Sequence, residues 1–196
     1  RFVEKGGAFV ATYLTGIVNE TDLVFTGGLP GPLRNVLGIR SMETDYLYED
    51  ERNEVVMGSG APMALSGSYP VARVCDVVRA ETAEIVATYE RDFYAGGPAI
   101  TVNHFGKGEA WYVAAAGADD RLLDAFHGAL AQARKLKRAL PDCDLPAGVT
   151  AQVRQSKVGK LSFVINFNNA PVALAFKKTR RDLLTGRAVS GRKTLP

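Results

Sequence analysis

"GGPAITVNHFGKGEAWYVAAAG", residues Gly96 to Gly117, sets two apolar runs around a short glycine-bearing break. Ala99–His104 and Glu109–Ala115 are rich in β-branched and aromatic residues, and Phe105-Gly106-Lys107-Gly108 between them has turn chemistry. The stretch predicts a β-hairpin. Its Gly-Lys-Gly is only superficially like a phosphate loop, because the full spacing and a following Ser or Thr are missing. Immediately downstream, "DDRLLDAFHGALAQARKL" changes period. Leu122, Leu123, Phe126, Leu130 and Ala133 recur at helical spacing, acids lead and bases trail, and Asp119 or Asp120 can cap the start.

Upstream, "YPVARVCDVVRAETAEIVATYERD" predicts two strands, near Val71–Arg79 and Glu84–Tyr89. "GGAFVATYLTGIV" predicts a turn at Gly6-Gly7 and a buried strand over Ala8–Tyr13. Downstream, "LPDCDLPAG" (Leu140–Gly148) punctuates the chain, and beyond it the apolar period becomes two. Turns are expected at Lys157–Lys160 and Asn168-Asn169, with two short strands around Gly186 and Gly191. The organisation read from these patterns is a mixed α/β part, residues 1–140, and a small all-β antiparallel sandwich, residues 147–196.

The bulk numbers suit this. The chain has 196 residues, 46% of them hydrophobic, and a net charge of +3 from 24 basic and 21 acidic residues. No apolar run is long enough for a membrane-spanning helix. The charge is too balanced to imply nucleic acid, and the late basic residues, Lys177 to Lys193, lack interleaved aromatics apart from Phe176. Cys75 and Cys143 form no disulfide framework, and neither they nor His104 and His127 have metal-ligand spacing. No metal, cofactor, nucleic-acid or membrane partner is expected, and a reducing cytoplasm is the expected location. The opening residue is Arg1, in a stretch that enters a strand almost at once, so the sequence is expected to be a piece of something longer.

No catalytic constellation emerges. Ser59 in "GSGAP" has no strand and helix framing it and no neighbouring histidine. Cys75 sits inside an apolar strand pattern and reads as a buried thiol. Glu43, Asp45, Glu49, Asp50, Glu51 and Glu54 could offer paired carboxylates, but a run of acids on a loop is ordinarily a solvated face.

One stretch remains unexplained by these patterns: "GGLPGPLRNVLGIRSMETDYL", Gly27 to Leu47. Pro30 and Pro32 fix φ, Gly27, Gly28 and Gly31 allow close backbone approach, and Leu33–Leu37 can form a short helix. With Thr12-Tyr13, Gly16, Val18, Asn19-Glu20 and Asp22 before it, this segment resembles the middle domain of family 42 glycoside hydrolases, the bacterial β-galactosidases. "PAITVNHFGKGEAWYVA" and "LLTG" (Leu183–Gly186) continue the resemblance over nearly the whole chain.

The resemblance implies a three-part parent enzyme. A (β/α)8 barrel would carry two catalytic glutamates of a retaining hydrolase and bind the galactoside. The present chain would supply the trimerisation domain, of flavodoxin-like or class I amidotransferase-like three-layer α/β fold and N-terminally truncated, and the closing β-sandwich. No catalytic residue transfers to this sequence. Pro30, Gly31, Pro32, Leu33, Arg34, Glu43 and Asp45 are the expected surface contacting a neighbouring subunit of a homotrimer, where this part would help wall the neighbour's active site. Two alternatives stay open at this stage. Arg34 could pair locally with Glu43 or Asp45. The chain could also be a stand-alone oligomerisation or sugar-binding module, with Trp111, Tyr46, Tyr48 and Tyr94 available for stacking, Trp111 being equally suited to a core.

Overall fold

The computed structural model describes residues 1–157 and 159–196, in two compact units, Arg1–Arg134 and Lys135–Pro196. The predicted turn at Lys157–Lys160 lies partly outside the described residues. The first unit contains β1 (Ala8–Thr12), β2 (Ile39–Tyr46), β3 (Asn53–Met57), β4 (Ser68–Ala80), β5 (Glu84–Tyr89), β6 (Pro98–Phe105), β7 (Gly108–Val113) and β8 (Ala115–Gly117). Its helices are α1 (Arg34–Leu37) and α2 (Arg121–Ala133). The second unit contains β9 (Val149–Ser156), β10 (Gly159–Asn166), β11 (Val172–Arg181) and β12 (Ala188–Leu195).

The strands of the first unit form one sheet in the order β1-β7-β6-β5-β3-β4-β2, with β8 on the other edge of β4. Only β1 and β7 are parallel. The path returns on itself at Ala114, whose N–H donates to Ala99 O of β6 at 2.9 Å while its carbonyl accepts from Asp76 N of β4 at 2.7 Å.

This overturns the expected flavodoxin-like, amidotransferase-like three-layer α/β domain. A parallel sheet needs a crossover of a dozen or more residues between neighbouring strands. Here Gly106-Lys107 alone join β6 to β7, which are antiparallel neighbours, and the β2–β4, β3–β4, β3–β5 and β5–β6 pairs are antiparallel as well. A single long helix, α2, covers what it can. It buries Leu122, Phe126 and Leu130 in one stripe, and Phe126 meets Trp111 edge-on at 5.4 Å. Trp111, Tyr89, Tyr112 and Phe126 are the largest fully buried side chains. At the start of α2, Asp119 rather than Asp120 accepts the N–H of Arg121, at 3.0 Å.

The acidic segment read as a loop is only partly one: Glu49, Asp50 and Glu51 lie in an exposed loop between two strands that carry the other acids. Glu43 and Asp45 lie on β2, Glu54 on β3. On half-buried strands charged side chains interrupt the apolar run, which hides the period. A bulge between Ser41 and Glu43 turns Met42 and Glu43 outward together.

Asn103, 4% exposed on β6, fixes the segment that precedes β2. Its Nδ2 donates to Val36 O at 2.8 Å and Asn35 O at 3.3 Å, and its Oδ1 accepts from Thr82 Oγ1 at 3.0 Å. Gly38 follows in the left-handed region at φ 65, and its carbonyl receives the N–H groups of Glu81, Thr82 and Ala83. Replacing Asn103 with Leu orphans these groups and is expected to cost about 1–3 kcal/mol, read as a lower midpoint in chemical denaturation.

The second unit is two hairpins, β9–β10 and β11–β12, around Leu140, Cys143, Val149 and Leu174. Gly191 sits inside β12 opposite Phe176, next to a register shift, rather than between strands. No helix among the described residues is long and apolar enough to cross a membrane.

Candidate functional site

The segment between β1 and β2 is built by local chemistry. Asn19 Oδ1 accepts from the N–H groups of Thr21 and Leu23, closing a turn bridged by Val18 and Val24. The Leu29–Pro30 peptide bond is cis. Gly31 then takes φ 52, and a Cβ there would meet the Phe25 ring at 2.4 Å. Leu33 N donates back to Pro30 O at 3.1 Å, and Ser41 N donates to Leu29 O at 3.0 Å, which lays the loop along the free edge of β2. Pro30 is buried, Gly31 and Leu33 are half-buried, and Pro32 is exposed.

Together Phe25, Gly27, Gly28, Gly31, Pro32 and Arg34 wall a hollow of about 380 Å³. Arg34 does not pair with Glu43 or Asp45. Its fork grips Glu81, Nε donating to Oε2 at 2.8 Å and Nη2 to Oε1 at 2.5 Å, while Nη1 donates to Gly27 O at 3.0 Å. The Arg34 hydrogen bonds hold the Glu81 carboxyl below the usual range, and Arg79 adds to this from 3.5 Å. Arg34 is thus the brace that ties the loop to the β4–β5 turn. Exposed apolar side chains gather nearby in sequence: Leu14, Val18, Leu23 and Val24 before the loop, Met42 and Tyr46 after it.

Asp45 and Glu43 part company. Glu43 is exposed, whereas Asp45 Oδ2 accepts from the Tyr94 hydroxyl at 2.8 Å. Behind Asp45 lies a group that sequence patterns missed. Asp76, 2% exposed on β4, accepts from Thr44 Oγ1 at 2.6 Å, Leu14 N at 3.2 Å and the Tyr112 hydroxyl. Its own carbonyl accepts from the Tyr89 hydroxyl at 3.2 Å. The available signal was a lone carboxyl inside the apolar run "VCDVV".

Trp111 and Tyr94 are buried, which removes them as sugar platforms, while Tyr46 and Tyr48 are exposed. A second hollow, of about 260 Å³, has Glu84, His104, Glu109 and Arg134 on its wall. There Glu109 takes the Trp111 indole N–H at 3.0 Å and pairs with Arg134 at 3.4 Å. Ser59 lies in a turn and Cys75 is fully buried. No group of three or more metal-ligating side chains converges among the described residues.

Burial pushes the Cys75 thiol up to about 11, and burial likewise raises the Tyr89, Tyr112 and Tyr94 hydroxyls. The folded state therefore holds protons that the unfolded chain releases first. Stability is full below the ordinary thiol value of 9.0 and falls as pH rises toward about 11. Urea midpoints are expected to decline over that window, and Cys75→Ala is expected to delay the onset to the tyrosine range above about pH 10.

Residues 1–137 match the family model described as the β-galactosidase trimerisation domain, and residues 148–196 the one described as the β-galactosidase C-terminal domain. The chain is 42% identical over 190 residues to β-galactosidase Pbg of Clostridium perfringens, covering 96% of this chain and 27% of that protein. It is 43% identical over 196 residues to β-galactosidase BgaA of Planococcus sp., covering 100% and 28%. Among solved structures it is similar to the cold-adapted β-galactosidase of Rahnella sp. R3, with a TM-score of 0.83 at 44% identity, covering 100% of this chain and 28% of that one. It is similar also to the β-galactosidase of Bacillus circulans sp. alkalophilus, with a TM-score of 0.84 at 41% identity and the same coverage. The chain thus spans 27–28% of the length of these relatives.

Proposed function

We infer the function of this chain from its membership: it belongs to the family 42 β-galactosidases, matching their trimerisation and C-terminal domains. The whole protein is a β-galactosidase that releases terminal non-reducing β-D-galactose with retention, using two glutamates on a barrel outside residues 1–196. Residues 1–140 and 147–196 are its trimerisation and C-terminal domains, and they contribute assembly rather than chemistry. Two buried free cysteines suit a reducing cytoplasm.

The observation that carries the assembly role is the braced loop Gly27–Gly38 over the edge strand β2, with Leu23, Val24, Met42 and Tyr46 all more than half exposed beside it in sequence. A stiff loop loses little entropy on docking, and an edge strand with outward apolar side chains is a contact surface unless covered. Pro30, Gly31, Pro32, Leu33, Arg34, Glu43 and Asp45 are assigned to this surface. Arg34 acts indirectly, by holding the loop on Glu81, and Asp45 by holding β2 on Tyr94.

In the full-length enzyme, Arg34→Ala is expected to weaken trimer assembly on dilution and to raise KM for a galactoside. Arg34→Lys is expected to restore little, because an ammonium cannot form the two-pronged contact. Sedimentation mass across a dilution series and KM both equal to wild type for Arg34→Ala would refute the assignment.

A further inference from the structure

Arg34 and Arg79 both take one carboxyl group, that of Glu81. Arg34 takes both Glu81 oxygens and Arg79 one of them. The Arg40 side chain makes no hydrogen bond or ion pair among the described residues. It stands directly opposite Arg79 in the β2–β4 register, an arrangement of like charges that a sheet disfavours. Its guanidinium lies beside Gly28, one wall of the hollow: a Cβ placed on Gly28 would lie 3.2 Å from Arg40 Nε and 3.0 Å from Arg34 Nη1. Two cationic heads therefore converge on one bare stretch of glycine backbone. Any side chain at position 28 would close the approach.

We propose that the hollow walled by Gly27, Gly28 and Arg34 receives an acidic side chain from a neighbouring copy of this chain, whose carboxylate passes Gly28 to pair with the Arg40 guanidinium beside it. This deepens the assembly reading and rests on it. The half-buried Arg40 lacks a counter-ion, and a planar fork is matched by a carboxylate's two oxygens. The hollow, about 380 Å³, admits a Glu or Asp side chain. Acidic residues outnumber basic ones over residues 1–134, so a second copy supplies such groups on the domain that assembles. Arg40 lies inside the Gly27–Asp45 surface, continuous with the exposed Met42 and Tyr46.

The test uses the full-length protein with Arg40→Gln, Arg40→Glu and Arg40→Lys, each checked by thermal melting for an intact fold. Trimer dissociation constants are measured by sedimentation at about 20 mM and about 500 mM NaCl, which moves screening from long range to contact range. Arg40→Gln is expected to weaken assembly about tenfold at low salt and to flatten its salt dependence, with Arg40→Glu weaker still and Arg40→Lys intermediate. Arg40→Glu assembling with the wild-type constant and the wild-type salt slope overturns the proposal. If Arg34→Ala nonetheless disrupts the trimer, the surface survives and only the carboxylate pairing falls. A wild-type protein that is monomeric at micromolar concentration sinks both. Saturable binding of inorganic phosphate that depends on Arg40 and leaves assembly unchanged reassigns the site to a free oxyanion, and also overturns the pairing with a second copy.

Discussion

Asp76→Ala is expected to destabilise the first unit by about 3 kcal/mol. The carboxyl group of Asp76 is where three parts of the unit meet: the backbone of Leu14 after β1, Thr44 on β2 and Tyr112 on β7. Alanine leaves the Tyr112 hydroxyl, 1% exposed, without its partner, together with a void. It also releases Leu14, which holds φ 61 while donating to Asp76. Asp76→Asn should cost far less, about 1 kcal/mol. Its amide oxygen can still accept from Leu14 N and Tyr112, while its NH2 donates to a rotated Thr44 hydroxyl. Urea denaturation of the three proteins measures the difference. Equal midpoints for the alanine and asparagine variants would mean that the hydrogen bonds matter less than the shape. A wild-type midpoint for Asp76→Ala would remove Asp76 as the junction of these elements.

The same network marks the border of what the sequence shows. The hairpin around Phe105–Gly108, the strand Glu84–Tyr89 and the α2 stripe were legible, because each is set by neighbours close in sequence. The three-layer α/β assignment came from the resemblance and not from those elements. The tight connection at Gly106-Lys107 already requires an antiparallel pair. β2 and β3 were hidden because their acids, Glu43 exposed and Asp45 and Glu54 half-buried, break up the apolar pattern. The stiffness of the Gly27–Gly38 loop was readable from its prolines, but the partner of Arg34 was not. Glu81 is 47 residues away and reaches it only because β4 runs back beside β2. Arg40 stood unremarked for the same reason, since its isolation appears only when Arg79 is placed opposite.

Two glycine-to-alanine changes are expected to move stability in opposite directions, and the contrast isolates packing from backbone entropy. At Gly108 a Cβ would stand 2.2 Å from Val3 O, 2.3 Å from Gly7 O and 3.0 Å from Gly7 N, all backbone. Those atoms belong to the segment that leads into β1, which is held there by Lys107 N to Glu4 O at 2.9 Å and Glu109 N to Gly7 O at 3.2 Å. No rotamer change relieves such a contact, so the segment must lift and the parallel β1–β7 ladder must loosen. Gly108→Ala is expected to cost about 3 kcal/mol, the upper end of ordinary overpacking. Amides of β1 should exchange faster than those of β5 and β6. Gly128 is the opposite case. It lies within α2 with nothing within 4 Å of an added Cβ, so alanine restricts only the unfolded chain. Gly128→Ala should therefore stabilise by about 0.8–1.0 kcal/mol. If both variants shift the denaturation midpoint in the same direction, or if β1 exchange in Gly108→Ala matches wild type, the close backbone approach at Gly108 is not what holds β1 to the sheet.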